Sequence, residues 1–146
     1  MSAGHRTAKA TVRIGNSLAE IDRVVLWVEA FGAEKGLPQT VVNDLNLCLD
    51  EILNNTISYG YSDHGHHDIV VNVWLAEDML IAEVQDDGVP FDPRRETPTD
   101  LSSRVRDRKL GGLGIRFVKA LMDEIDYARV GKYNLLTLKK KIPDVV

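Results

Sequence analysis

The run Asp50-Glu51-Ile52-Leu53-Asn54-Asn55 sets two carboxylates and two amides into a segment otherwise patterned as a buried helix. Asparagine is a poor helix former, and its amide is costly to bury without a partner. On a wheel of 3.6 residues per turn, Leu45, Cys48, Leu49, Ile52 and Thr56 share one arc, while Asp50 and Asn54 fall on the solvent side. Glu51 and Asn55, one turn apart, stack at the edge of the apolar arc beside Cys48. A solvated helix flank would account for the pair. Facing a cleft, it could do chemistry. An amide oxygen is a neutral, hard ligand suited to Mg²⁺, which keeps several waters and binds substrate phosphates. A carboxylate one turn away can take the proton of a hydroxyl nucleophile.

Two glycine-bearing stretches offer further chemistry. The first, DDGVPFDP over residues 86–93, follows the strand-like MLIAEVQ. Asp-Gly commonly closes a hairpin, but a hairpin needs a second strand directly after it, and the charged run RRETPTDLSSRVRDRK comes instead. Gly88 and Pro90 therefore shape a loop at a strand end, and Asp86 presents a carboxylate able to accept a hydrogen bond from an exocyclic amine such as that of adenine. The second stretch, GGLGIRF over 111–117, fails as a dinucleotide fingerprint, because no strand precedes it and Phe117 holds the third glycine position. It is not a P-loop either. Gly112 and Gly114 could form a flexible linker, or open a helix whose free N–H groups favour an anion. Between the stretches, residues 92–110 hold ten charges in nineteen positions, six of them basic (Arg94, Arg95, Arg104, Arg106, Arg108 and Lys109), in a chain of net charge -4. A solvated loop explains this composition. A long structureless loop is nonetheless often a lid, and a basic lid beside an anion-binding helix suits a polyphosphate.

The elements that would position these groups are legible from periodicity. KATVRI (9–14) alternates as a strand, and Asn16 or Ser17 can cap a helix carrying Leu18, Ile21, Val25, Val28 and Phe31 on its apolar face, ended by Gly36 and Pro38. A second helix runs from about Gln39 to Ser58 and closes at Gly60. HDIVVNVWLAED and MLIAEVQ form a hairpin turning at Glu77-Asp78. After the loop come a helix from about Gly114 to Met122 and the strands EIDYARV and NLLTLKKKI. The order β-α-α-β-β-loop-α-β-β predicts an α+β fold, a two-layer α/β sandwich with helices against a mostly antiparallel sheet. A length of 146 residues predicts one domain, 1–146. Cys48, the single cysteine, fits a reducing compartment. With no signal-like or membrane-long apolar run and no basic excess, the expectation is a cytoplasmic protein with neither membrane nor nucleic-acid contact.

EILNN, DDGVPFDP and GGLG, in this order on this β/α pattern, resemble the ATP-binding fold shared by gyrase, the Hsp90 chaperone, histidine kinases and the mismatch-repair protein MutL. Within that superfamily (the GHKL, or Bergerat, ATPases), the small size, PFDP and GGLGIRFVKALMDEIDY are similar to the bacterial anti-sigma factor serine/threonine kinases, over about residues 9–142. The resemblance implies ATP and Mg²⁺ as cofactors. It implies that Asn55 holds the metal, Glu51 acts as general base, Asp86 reads the adenine amine above Gly88, and Gly112 and Gly114 hinge a lid over about 92–111 that includes Lys109. It implies phosphorylation of a STAS-domain anti-sigma factor antagonist, binding of a sigma factor, and a homodimer. One departure is Tyr59, standing where many members carry a histidine before the glycine.

Two other readings compete. A detached histidine-kinase catalytic domain would need a phospho-acceptor helix, and none of His5, His64, His66 and His67 falls on a helical pattern. A binding module would use ATP as a conformational ligand and transfer nothing. The remaining features carry plainer expectations: HGHH (64–67) as a solvated turn, Cys48 as core filler, Trp27 and Trp74 as helix and strand packing, and Lys139–Lys141 as a solvated sheet edge.

Overall fold

A computed structural model describes residues 7–95 and 111–143, with residues 111–115 described by backbone alone. The strands are β1 (Ala10–Gly15), β2 (Asp68–Ala76), β3 (Met79–Asp86), β4 (Glu124–Val130) and β5 (Tyr133–Lys141). The helices are α1 (Ile21–Lys35), α2 (Gln39–Tyr59) and α3 (Gly111–Leu121). The sheet order is β1-β2-β3-β5-β4, and every neighbouring pair is antiparallel. The helices and one face of this sheet close a single apolar core, the two-layer sandwich the element order predicts.

Strand parity decides which side chains meet the helices. In β2, Ile69, Val71 and Val73 are buried; in β3, Leu80, Ala82 and Val84 are; in β5, Leu136 and Leu138 are. The register aligns them, with Val71 and Leu136 both opposite Val84, and Val73 and Leu138 both opposite Ala82. A slip of one residue would turn every one of these groups to the other face. The opposite face is mixed: Trp74 and Ile81 are buried there side by side, while Thr11 Oγ1 donates to Asn72 Oδ1 at 2.5 Å, and Asn72 Nδ2 to Glu83 Oε1 at 3.2 Å. Continued to the strand ends, the same parity carries Asp86 and its register partner Asn134 onto the helix side. Both are buried.

α1 ends as the sequence predicts, on Gly36 in the left-handed region (φ 66°). Its start differs. Leu18–Glu20 forms a 3-10 turn before the helix, and Ser17 makes no side-chain cap bond. Asn16 is committed elsewhere: its Oδ1 accepts from the His67 backbone N–H at 3.0 Å, and its Nδ2 donates to Gly65 O at 3.2 Å. α1 and α2 approach closely at Gly32, where an added Cβ would lie 2.5 Å from Val42 Cγ2. α3 starts three residues before the position periodicity indicates, so Gly112 and Gly114 lie within its first turns rather than ahead of it. Parity and topology also overturn the reading of the lysine run. β5 lies between β3 and β4, not at an edge. Lys140 there is half-buried, donating to the α3 C-terminal carbonyl Leu121 O at 2.8 Å and pairing with Asp44 Oδ2 at 3.1 Å. Among the described residues, no helix is long and apolar enough to cross a membrane.

Candidate functional site

The apolar stripe of α2 explains where a cleft can form. Val41, Leu45, Cys48, Leu49, Ile52 and Leu53 are buried along the helix, Leu53 being a core residue outside the arc drawn from the sequence. Beyond Ile52 the stripe turns polar, and Asn55, Thr56 and Tyr59 continue it. Opposite them, the rows of β3 and β5 end in Asp86 and Asn134. The helix and the sheet therefore diverge over polar groups, and a cleft opens with about 600 Å³ of free space, counting the part open to solvent. Ile52, Val84 and Leu136 form its apolar floor, Val89, Pro90 and Phe91 one wall, and Tyr127 lies beside Asn134. An apolar slot with a few fixed polar groups is the usual form of a small-molecule site.

Asp86 is the most constrained of these groups. Its Oδ1 accepts the Gly88 backbone N–H at 2.8 Å and Asn134 Nδ2 at 2.9 Å, both from protein, while Oδ2 accepts from no described residue. Burial pushes its carboxyl above the ordinary aspartate range, and the bonds from Asn134 and Gly88 only partly offset that. A ligand that brings a hydrogen-bond donor to Oδ2 would stabilise the ionised form. Asn134 is fixed in turn: its Nδ2 also reaches Val89 O at 2.9 Å, and its Oδ1 accepts the Tyr127 hydroxyl. Sequence reasoning passed over Asn134. The available signal was a polar residue opening NLLTL in phase with the buried Leu136 and Leu138.

The loop after Asp86 is clamped against the end of α2. Val89 N–H donates to Gly60 O at 2.7 Å, and Arg129 Nη1 donates to Gly88 O at 2.7 Å. At Gly88 an added Cβ would stand 2.5 Å from Gly60 O and 3.0 Å from Asp86 Oδ1. Only a residue without a side chain lets the loop pass there.

The structure thus sets Asn55 and Asp86 on one cleft, with Gly88 buried and not part of its lining. Glu51 sits one turn before Asn55, half-buried and not among the cleft-lining residues. Asn54, expected near solvent, is half-buried and donates to Asp50 O at 2.9 Å. Gly112 and Gly114 occupy the start of α3. Lys109 and most of the predicted lid, Arg104, Arg106 and Arg108 included, lie outside the described residues. The start of that segment is a 3-10 turn, Pro93–Arg95, in which Asp92 accepts from Arg94 Nη2 at 2.8 Å.

HGHH is a solvated turn over His64, Gly65 and His66, all exposed, and only His67 departs from that reading. His66 pairs with Asp68 at 2.9 Å, and His67 is largely shielded, stacked on Tyr61 with ring centroids 4.2 Å apart. Among the described residues no group of three or more histidine, cysteine or acidic side chains could hold a metal ion. Cys48 is fully buried, and burial pushes its thiol up to about 12, so it is inert filler as expected.

The cleft suits a planar, amine-bearing base: its lining is largely apolar, and among the described residues none donates to Asp86 Oδ2. Asn55 at the mouth is a neutral oxygen donor of the kind a largely hydrated Mg²⁺ accepts.

The profile of the histidine kinase-like ATPase domain matches residues 14–140. The Listeria monocytogenes serine-protein kinase RsbW is 25% identical over 104 residues, 68% of this chain and 66% of its own length, so this chain spans just under two thirds of that relative. The Bordetella bronchiseptica serine/threonine-protein kinase BtrW is 29% identical over 114 residues, covering 77% of this chain and 79% of its own. The anti-sigma F factor of Clostridium novyi is 23% identical over 119 residues, covering 81% and 83%. In structure, the histidine kinase domain of an Erythrobacter litoralis blue-light activated histidine kinase superposes with a TM-score of 0.54 at 17% identity, over 86% of this chain and 60% of that one, a likeness of fold. With its profile matched from β1 into β5 and the corresponding sandwich formed, this chain belongs to the histidine kinase-like ATPase domain family.

Proposed function

We propose that this chain is an ATP-dependent protein serine/threonine kinase that acts as an anti-sigma regulator, folded as one domain over residues 1–146. The observation that carries the reading is the buried Asp86 carboxylate, whose Oδ2 accepts from no described residue, sharing a cleft with Asn55. The names of its relatives, serine-protein kinase and anti-sigma F factor, support the same reading.

In this reading the adenine enters the apolar slot and donates its amine to Asp86 Oδ2. Asn55 holds Mg²⁺, which when bound neutralises phosphate charge. The first turn of α3, with Gly112 and Gly114, faces the phosphates with its N–H groups and dipole. Lys109 and the rest of the lid, about 92–111, would cover them. The incoming serine or threonine oxygen bonds to the γ-phosphorus as the bond to the β,γ-bridging oxygen breaks. The hydroxyl proton passes to Glu51, and ADP leaves. Positioning and charge neutralisation supply most of the acceleration in such transfers. The acceptor is a STAS-domain anti-sigma factor antagonist. Phosphorylated, the antagonist releases the kinase, which then binds a sigma factor as a cytoplasmic homodimer.

One observation favours a second reading. Glu51 does not line the cleft, which is what a module that binds ATP and transfers nothing would show. Incubation with labelled ATP and a candidate antagonist separates the two, since only a kinase labels the partner. Glu51→Ala should abolish labelling and leave ATP affinity nearly unchanged; full labelling by that variant would remove Glu51 as the base.

A further inference from the structure

Behind the adenine loop, outside the cleft, lies a cluster that the proposed transfer does not use. His67 opens the approach to β2. Its Nε2 lies 2.8 Å from Asp63 Oδ1, in the segment leaving α2, and its Nδ1 lies 3.0 Å from Asp87 Oδ1, the residue following Asp86. Its backbone N–H is held by Asn16, before α1, and its ring stacks on Tyr61 with an interplanar angle of 15°. The side chain of His67 is 18% exposed. One imidazole thus ties together the exit of α2, the start of β2 and the loop that carries Gly88.

The geometry favours one protonation state. Carboxylates accept hydrogen bonds and cannot donate them. A neutral imidazole carries one N–H and can satisfy one acceptor; only the imidazolium donates from both nitrogens. With a carboxylate oxygen on each side, only the doubly donating, charged ring satisfies both contacts. The bond to Asp63 is the largest influence on the His67 pKa and raises it above the ordinary histidine value; burial opposes this, and the bond to Asp87 adds to the rise. The surroundings are mostly acidic. Asp87 faces the ring from the adenine loop and Asp63 from the α2 exit; Asp86, at the end of β3, acts on the neighbouring Tyr61, and Asp68 on β2 is already paired with His66 and Arg13. The opposing cations are His64, near Asp63, and Arg129 from β4, which is engaged with Gly88 O. The Tyr61 hydroxyl stays protonated, pushed up first by burial and then by Asp86, Asp87 and Asp68.

We infer that His67 is a positioning residue for the nucleotide site: as an imidazolium clasp between Asp63 and Asp87, it holds the adenine loop in the binding geometry, and its deprotonation releases the loop. The inference rests on the reading of the cleft as an adenine nucleotide site. It predicts affinity that declines at alkaline pH, with the midpoint set by His67.

Two measurements test this. The first is an NMR titration of the full chain without nucleotide. The His67 ring should titrate above the ordinary histidine value, and the amides of Asp87, Gly88 and Val89 should shift with the same midpoint. A lower midpoint, or loop amides that do not follow the ring, would overturn the clasp whatever the cleft binds. The second is calorimetry with ATP and Mg²⁺ from about pH 7.5 to about pH 9.5, well above the phosphate second pKa of about 6. Wild type should lose affinity as pH rises. His67→Gln should bind roughly five-fold or more weakly at the lower end and show a flat profile; Asp63→Asn should shift the midpoint down. If wild type binds ATP with no pH dependence, or His67→Gln retains the wild-type profile, the proposal fails. If wild type binds no ATP while the NMR coupling is present, the cleft reading fails and the clasp stands.

Discussion

Gly88→Ala tests the architecture of the cleft with one methyl group. The backbone at Gly88 is not in the left-handed region, so the substitution adds no conformational strain there. Its whole effect comes from contact. The new Cβ would lie 2.5 Å from Gly60 O, and ordinary contact begins near 3.4 Å, so loop and helix end must separate by about 0.9 Å. The Val89 N–H···O Gly60 bond, 2.7 Å long, is the link that spans this gap. Stretched by that amount it passes the usual limit of about 3.2 Å, a loss of about 1 kcal/mol within an overpacking cost of ~1–3 kcal/mol. For a chain near this size, each kcal/mol lowers Tm by about 2–4 °C. Asp86 Oδ1, 3.0 Å from the same Cβ, must turn as well. Misaiming the carboxylate forfeits a charge-assisted bond of ~1.5–3 kcal/mol, or roughly 10- to 100-fold in ATP affinity. Calorimetric titration and thermal melts of the variant measure both effects. Gly36→Ala is the control: φ is 66° there with no atom within 4 Å of the added Cβ, so it should cost about 1 kcal/mol and leave ATP affinity unchanged. If Gly88→Ala bound ATP within two-fold of wild type and melted at the same temperature, the account of the loop clamp would be wrong.

Asp86 gives a pH signature. Its folded pKa is raised by burial, so its contribution to stability is fully present below the unfolded value and is lost as pH rises through the raised folded value. Binding of an amine donor needs the ionised form, so affinity moves the opposite way and falls as the medium is acidified through that value. Comparing ATP with inosine triphosphate, which lacks the amine, cancels phosphate titration: the preference for ATP should shrink on acidification, and a pH-independent ratio would contradict the role given to Asp86. In the helix layer, Gly32→Ala should cost ~1–3 kcal/mol because its Cβ would meet Val42 Cγ2 at 2.5 Å. Adding Val42→Ala should recover part of that cost. A double-mutant cycle with no coupling would show that α1 and α2 are not in contact at this point.

Much of the molecule could be read from local pattern. The 3.6 and 2.0 periodicities located the strands and helices, because one-sided burial repeats along an element and leaves its mark on neighbouring residues. Gly36 ended α1 and the Glu77-Asp78 turn joined β2 to β3, both for local conformational reasons. Asn55 and Asp86 stood out because polar groups in otherwise buried rows need a partner. The order in which the strands associate was not visible in the same way. It moved Lys139–Lys141 from a supposed edge into an interior strand and sent Lys140 to the end of α3. Asn134, 48 positions from Asp86, and His67, 20 positions from Asp87, acquired their meaning only when β3 paired with β5 and the loop closed onto the α2 exit. The sequence by itself determined which faces were apolar and which groups could do chemistry. The tertiary structure alone decided which of those groups meet, because burial periodicity is a property of one segment, whereas a hydrogen bond between distant residues depends on register and topology.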